Sequence, residues 1–178
     1  MARSRTVFRT KWFSVEQVPL TDEASRNGET FYRVNSPDGA IVLAMTRDEK
    51  IILVRQFRPA LNQYTLEFPS GGVNKGESPG VAAARELKEE TGYVCESLEL
   101  LGSGRIMMNR HNSQAYAFYG KGATRIQGYV GEKGIEVVLS SVSDFKKLVL
   151  SGEFAQFPAF APIVLAAWKS GNRLFFGA

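Results

Sequence analysis

The feature that most constrains this chain is a glycine-rich loop that runs directly into a helix with three glutamates on one face. The loop spans residues 70–76 and holds three glycines, so its backbone can approach a ligand closely. Ser78-Pro79 is typical of a helix start, and Gly92 is typical of a left-handed helix end. At about 100° per residue, Glu86, Glu89 and Glu90 then share one face of the helix.

Three like charges on one helix face are unfavourable unless a cation joins them. Glutamates spaced by three and four residues repel one another by about 0.2–0.5 kcal/mol per pair. They also lie near the helix C-terminus, where the helix dipole is negative. A solvated acidic face is the ordinary explanation of such a cluster. The neighbouring glycine-rich loop and Arg85 favour instead a hard divalent cation bound through oxygen atoms, which Mg²⁺ or Mn²⁺ would fit.

The same segment carries a family resemblance. Gly71, Glu77 and the run from Arg85 to Tyr93, at fixed spacing over 23 residues, resemble a complete Nudix box. Tyr93 stands where that pattern usually has an aliphatic residue. The resemblance implies a Nudix α/β/α sandwich that binds Mg²⁺ or Mn²⁺ and hydrolyses a nucleoside diphosphate linked to another group. Metal ions held there would polarise the phosphate and activate a water molecule.

The resemblance also implies roles for individual box residues. Glu86 and Glu90 correspond to the principal metal ligands, and Glu89 is expected to share a metal ion or a catalytic water. The carbonyl of Ser70 would be a further ligand. The residues Gly71, Glu77 and Arg85 are expected to be structural, with Glu77 and Arg85 forming an ion pair that orients loop and helix.

Residues outside the box point to one branch of the family. The stretches 51–59, ending in Gln-Phe-Arg-Pro, and 66–71 resemble the ADP-ribose and ADP-sugar pyrophosphatases. The resemblance implies substrate contacts for Arg58 and Glu67, since a guanidinium suits phosphate well. It further implies that Trp12 and Phe31, with Arg33 close by, contact the base; strand aromatics are otherwise ordinary core residues.

Two later segments bear on substrate and catalysis. The branch usually carries a proline about sixteen residues after the box, whereas residues 106–112 contain none. Other nucleoside diphosphate sugars therefore remain candidate substrates in addition to ADP-ribose. The branch also supplies a catalytic glutamate from a mobile loop. Residues 131–136 fit that location, and glycines there permit motion. Glu132 is the first choice for the group that orients or deprotonates the water, and Glu136 is the second.

Composition bounds the remaining possibilities. A chain of 178 residues, 44% of them hydrophobic, suits one domain, with residues 1–38 as N-terminal strands and residues 39–178 as the core. We expect a cytoplasmic protein, because no segment is long and apolar enough for a membrane and no apolar signal segment follows the basic N-terminus. A net charge of +4, spread along the chain, gives no basis for nucleic-acid binding. A homodimer, with the N-terminal strands exchanged between subunits, is expected from the resemblance.

The pattern of apolar residues predicts the fold class independently. Residues 6–18, 30–34, 40–45, 51–57 and 63–68 read as strands, residues 21–28 as a loop, and helices follow near residues 78–91, 143–151 and 158–169. This order indicates an α+β protein with a mixed sheet flanked by helices and N-terminal antiparallel strands. Two other functions remain open: hydrolysis of another nucleotide, such as an oxidised nucleoside triphosphate, a dinucleotide or capped RNA, and a non-catalytic nucleotide-sugar sensor or scaffold.

Overall fold

The computed structural model describes residues 4–20 and 30–170. Over these residues the chain forms eleven strands and three α-helices. The strands are β1 (Arg5–Arg9), β2 (Ser14–Val18), β3 (Phe31–Asn35), β4 (Gly39–Thr46), β5 (Ile51–Arg58), β6 (Gln63–Glu67), β7 (Ser70–Gly72), β8 (Tyr93–Val94), β9 (Ser97–Arg105), β10 (Gln114–Arg125) and β11 (Ile135–Ser140). The helices are α1 (Pro79–Thr91), α2 (Val142–Ser151) and α3 (Phe160–Ser170), the last preceded by a 3₁₀ turn at Phe157–Ala159.

The main sheet is mixed, as the order of elements predicted. Its central order is β11-β5-β4-β10-β8, while β6 pairs with β5, β7 with β4 and β9 with β10. Strands β4 and β10 are parallel and their neighbours are antiparallel. The short strand β7 sits against the start of β4, with Gly71 opposite Ala40. This pairing fixes the loop that leads into α1.

Helices cover both faces of this sheet. Side chains alternate along β4, so Ala40 and Val42 pack in a cluster with α1, while Ile41 and Leu43 pack in a second cluster with α2 and α3. Both sets are buried, which explains why β4 is a continuous apolar run. The structure therefore confirms the α/β/α sandwich expected from the sequence.

The N-terminal antiparallel strands form a separate three-stranded sheet, β1-β2-β3. The prediction of one strand over residues 6–18 was wrong, because a turn interrupts it: the Thr10 hydroxyl accepts hydrogen bonds from the backbone N–H groups of Trp12 and Phe13. A parallel bridge between Val34 and His111 joins this sheet to the β9–β10 connection. The loop expected at residues 21–28 lies outside the described residues.

Helix α1 begins and ends where the sequence predicts. The Ser78 hydroxyl accepts a hydrogen bond from the Val81 N–H, and Pro79 is the first helical residue. Gly92 ends the helix with a left-handed φ of 72° and donates its N–H to the Lys88 carbonyl. No helix in the described part of the chain is long and apolar enough to cross a membrane.

Candidate active site at the glutamate helix

The packing of α1 decides how each glutamate is exposed. Ala82, Ala83 and Leu87 are buried against the sheet, which fixes the rotation of the helix. Glu90 consequently lies almost fully buried, at 5% exposure, whereas the side chain of Glu89 is 50% exposed. The three glutamates therefore line one helix face but differ strongly in their contact with water.

Arg85 ties the glycine-rich loop to the helix. Its Nε and Nη2 donate to the two oxygens of Glu77 at 2.8 and 2.9 Å, and Nη2 also donates to the Gly72 carbonyl at 2.8 Å. Its Nη1 donates to Glu86 at 2.7 Å and to Glu89 at 3.1 Å. The hydrogen bonds that Arg85 donates to the Glu77 carboxylate lower the pKa of Glu77 to about 2. This is the arrangement expected of an ion pair that orients loop and helix.

Glu86 and Glu90 are acidic groups in an unfavourable environment. Burial raises the pKa of both carboxyls, that of Glu90 to about 8, and their mutual repulsion adds to the effect on Glu90. The Ser70 N–H donates to Glu90 Oε2 at 3.0 Å, so the strand that leads into the box is bonded to the helix. Gly71 lies directly against Glu86: a Cβ there would be 2.1 Å from Glu86 Cδ.

The donor set suits a hard divalent cation. Among residues 4–20 and 30–170, no three acidic, histidine or cysteine side chains form a metal cluster as they lie. The reason is visible in the contacts, because Arg85 holds oxygens of Glu86 and Glu89 while Glu90 is bonded to Ser70. The groups available are carboxylate and carbonyl oxygens, the ligands that Mg²⁺ and Mn²⁺ prefer. A cation would also offset the charge that burial leaves uncompensated on Glu86 and Glu90.

Arg58 and Glu67 form a second charged group beside the box. Arg58 donates from Nε and Nη2 to the two oxygens of Glu67 at 2.7 and 2.5 Å. Thr65 donates to Oε1 at 2.6 Å and Gln156 to Oε2 at 3.5 Å. Burial opposes the charge of Glu67, yet the hydrogen bonds from Arg58 and Thr65 hold its pKa below the usual value. The positive charge of Arg58 also acts on Glu90.

Arg58 and Glu67 differ in how much of each side chain remains available to a ligand. Both oxygens of Glu67 are engaged within the protein, and the residue is 6% exposed. Arg58 is less covered, with its side chain 41% exposed, and its Nη1 makes no hydrogen bond within the described residues. Of the two expected substrate contacts, the geometry thus leaves Arg58 with free donors and makes Glu67 its support.

The two candidate loop glutamates lie in different surroundings. The Glu132 N–H donates to the Glu89 carbonyl at 3.2 Å, and its charge acts on Glu86 and Glu90. Glu136 lies opposite Arg55 in the register of β11 and β5 and pairs with it at 3.3 Å. Its neighbour Val137 packs toward α1, so Glu136 faces away from that helix. The structure brings Glu132, and not Glu136, to the box.

The three expected base contacts lie on the N-terminal sheet. Phe31 in β3 is half-buried, with the Arg110 guanidinium 4.5 Å above its ring. Arg33 pairs with Glu16 across β2 and β3 at 2.9 Å. Trp12 lies in the β1–β2 turn and is 69% exposed. The contacts of the described residues do not bring these three side chains into the group formed by α1, Arg58 and Glu67.

Sequence reasoning missed two residues that hold Glu67. Thr65 precedes it by two positions on the same strand, so the two-residue period of a strand could have placed both on one face. Gln156 also accepts a hydrogen bond from the Phe68 N–H at 2.9 Å. It lies 89 residues from Glu67 along the chain, and no local pattern links them.

Comparisons with known proteins agree with the geometry. The family model described as NUDIX domain matches residues 36–146, and the chain belongs to this family. A crystal structure of an ADP compounds hydrolase has the same fold, with a TM-score of 0.77 and 24% identity over 95% of this chain and 92% of that one. Hydrolases of this family generally use divalent metal ions.

Several curated relatives match at higher identity. A methanol dehydrogenase activator of Bacillus methanolicus is 35% identical over 119 residues, covering 66% of this chain and 64% of that protein. An ADP-ribose pyrophosphatase of Bacillus subtilis is 40% identical over 98 residues, covering 53% of each chain. An ADP-sugar pyrophosphatase of Mus musculus is 40% identical over 99 residues, covering 50% of this chain and 45% of that protein. The chain thus spans about half to two thirds of these relatives.

Proposed function

We propose that this protein hydrolyses the diphosphate bond of nucleoside diphosphate sugars, with ADP-ribose as the first candidate. The observation that carries the proposal is that two charged groups act on each other: the half-buried Glu86 with the buried Glu90, and an arginine held in place by Glu67. The relatives named as ADP-ribose and ADP-sugar pyrophosphatases support this choice of substrate. The products would be a nucleoside monophosphate and a sugar phosphate.

Each part of the site has a distinct task in this proposal. Glu86, Glu90 and the Ser70 carbonyl would hold Mg²⁺ or Mn²⁺, with Glu89 sharing an ion or a bound water. Such ions supply Lewis acidity and offset the charge of the diphosphate. Arg58 would bind a phosphate oxygen through the donors that Glu67 leaves free. Glu132 would orient the attacking water and accept its proton.

The test is product release from a panel of nucleotides in the presence of Mg²⁺ or Mn²⁺. The panel comprises ADP-ribose, ADP-glucose, GDP-mannose, UDP-glucose, NADH and 8-oxo-dGTP. Turnover of the diphosphate sugars should disappear in Glu90→Gln and persist in Glu99→Gln, which makes the same change at an exposed glutamate of β9. Turnover of only the triphosphate or NADH would overturn the substrate class. Retained binding without turnover of any compound would favour a sensor.

We also propose a single-domain homodimer in a reducing, cytoplasmic compartment. The N-terminal sheet supports an interface between subunits, because large apolar side chains on it are exposed, among them Phe8 at 54% and Trp12 at 69%. Such a surface in water is a site for protein contact. Light scattering after size exclusion measures the molar mass, and a monomer at micromolar concentration would contradict this part of the proposal.

A further inference from the structure

Gln56 on β5 carries a buried hydrogen-bond donor without a partner. Its Nε2 is shielded from solvent and makes no hydrogen bond within the described residues. A buried donor left unpaired costs free energy, so the Gln56 Nε2 calls for a hydrogen-bond acceptor that the packed sheet does not supply. Arg33 Nε shares this condition, but the Arg33 side chain is already bonded to Glu16 through Nη2.

The strand register places Gln56 on the side of the glutamate helix. Val54 lies two residues earlier on the same face, opposite Val137, which packs in the cluster that contains α1. Gln56 itself lies between Thr65 of β6 and Ile135 of β11. Thr65 is the residue that bonds Glu67, so the amide of Gln56 sits beside the candidate active site.

The segment just before Ile135 carries the exposed side chain of Glu132. The Ile135 N–H donates to the Glu132 carbonyl at 3.2 Å, so Glu132 follows the position of the strand opposite Gln56. The Glu132 carboxylate makes no hydrogen bond or ion pair with any residue that the structure describes. Gly128 and Gly134 flank it with left-handed φ angles of 72° and 92°, where glycine permits the backbone to turn. The Gln56 donor and the Glu132 acceptor are thus both unpaired within the described residues, and glycines flank the loop that carries Glu132.

We propose that Gln56 is a positioning residue, which donates a hydrogen bond from Nε2 to the Glu132 carboxylate when the loop closes over the site. The contact fixes the carboxylate toward the attacking water, and in this respect it rests on the proposed function. It gives a role to a half-buried glutamine whose Nε2 is shielded from solvent, on a strand face where the two preceding residues, Ile52 and Val54, are apolar. The expected consequence is an effect on kcat rather than on KM, because Gln56 acts through Glu132 and not through the substrate.

A double-mutant cycle tests this coupling. Gln56→Leu should lower kcat on the preferred diphosphate sugar about tenfold or more, with KM within about twofold. In the Glu132→Gln background the same change should have almost no further effect, since the partner carboxylate is already gone. Gln56→Glu keeps the shape but removes the donor, and should lose at least as much activity. Gln63→Leu, an equal change at an exposed glutamine of β6, should match the wild type.

Two readouts do not depend on turnover. The metal-free Gln56→Leu protein should melt at or above the wild-type temperature, because an unpaired donor has been removed. With Mg²⁺ alone, backbone amides of residues 128–135 should exchange hydrogen faster in Gln56→Leu than in the wild type. Additive effects in the cycle, a rise in KM in place of the fall in kcat, or equal exchange in both proteins would each overturn the role of Gln56. A wild-type protein that hydrolyses no diphosphate sugar would instead refute the proposed function, and the exchange comparison would still decide the contact.

Discussion

Replacing Gly71 with alanine should disable the site while leaving the fold intact. The added Cβ would lie 2.1 Å from Glu86 Cδ and 2.2 and 2.4 Å from its two oxygens. Carbon atoms in ordinary contact are about 3.5–4.0 Å apart, so the carboxylate must move by roughly 1.5 Å or more. The backbone at Gly71 is not left-handed, and alanine there can keep the pairing with Ala40.

The size of the effect follows from this displacement. A misplacement of about 1 Å at a reacting centre can cost about 100-fold in rate, so we expect kcat/KM to fall by at least that factor. Stability should change little, because the obstructed group is the end of a flexible side chain. The lost Arg85–Glu86 bond and the reduced freedom of the unfolded chain are each worth about 1 kcal/mol or less, with opposite signs.

The assay compares Gly71→Ala with Gly72→Ala. At Gly72 the nearest atom to an added Cβ is Pro37 Cβ at 3.8 Å, an ordinary contact, so this variant should keep wild-type activity. Rates with ADP-ribose, affinity for Mn²⁺ by calorimetry and melting temperature are measured for both. Wild-type kcat/KM in Gly71→Ala would show that the Glu86 position is not critical. A large drop in melting temperature would show that the glycine serves the fold and not the carboxylate.

Two further predictions follow from the burial of charge. For Glu90, whose pKa is raised to about 8 by burial, the folded state holds a proton that the unfolded state loses above about pH 4.3. The metal-free protein should therefore lose stability as pH rises from about 4.3 to about 8, by at most about 5 kcal/mol; thermal melts should show this fall, and Glu90→Gln should flatten it. Arg58→Lys should lower kcat/KM about tenfold or more and lower the melting temperature, because a lysine cannot make the paired bonds to buried Glu67. Steady-state kinetics and thermal melts measure both effects, with Arg125→Lys, at an exposed position of β10, as the control variant. Equal kcat/KM and melting temperature in the two variants would refute this prediction.

The glutamate helix could be predicted almost residue by residue from the sequence. Ser78, Pro79 and Gly92 set its ends through local backbone chemistry, and the 3.6-residue period placed three glutamates on one face. The mixed sheet and its flanking helices also followed from the order of the apolar segments. The strand boundary inside residues 6–18 did not follow from the sequence, because the turn depends on one threonine hydroxyl that an alternating pattern does not reveal.

The sequence by itself determined the local features: the capped helix, the close glycine beside it and the family to which they belong. These features depend on residues within one turn or loop of each other, where the spacing along the sequence fixes the relative positions of the side chains. Only the tertiary structure decided that Gln156 supports Glu67 and that Glu132 lies at the box while Glu136 pairs with Arg55. It also decided that the Gln56 Nε2 is buried without a partner among the described residues. Those relations join segments up to 89 residues apart, and their relative positions are fixed by the packing of the whole fold rather than by any short stretch of chain.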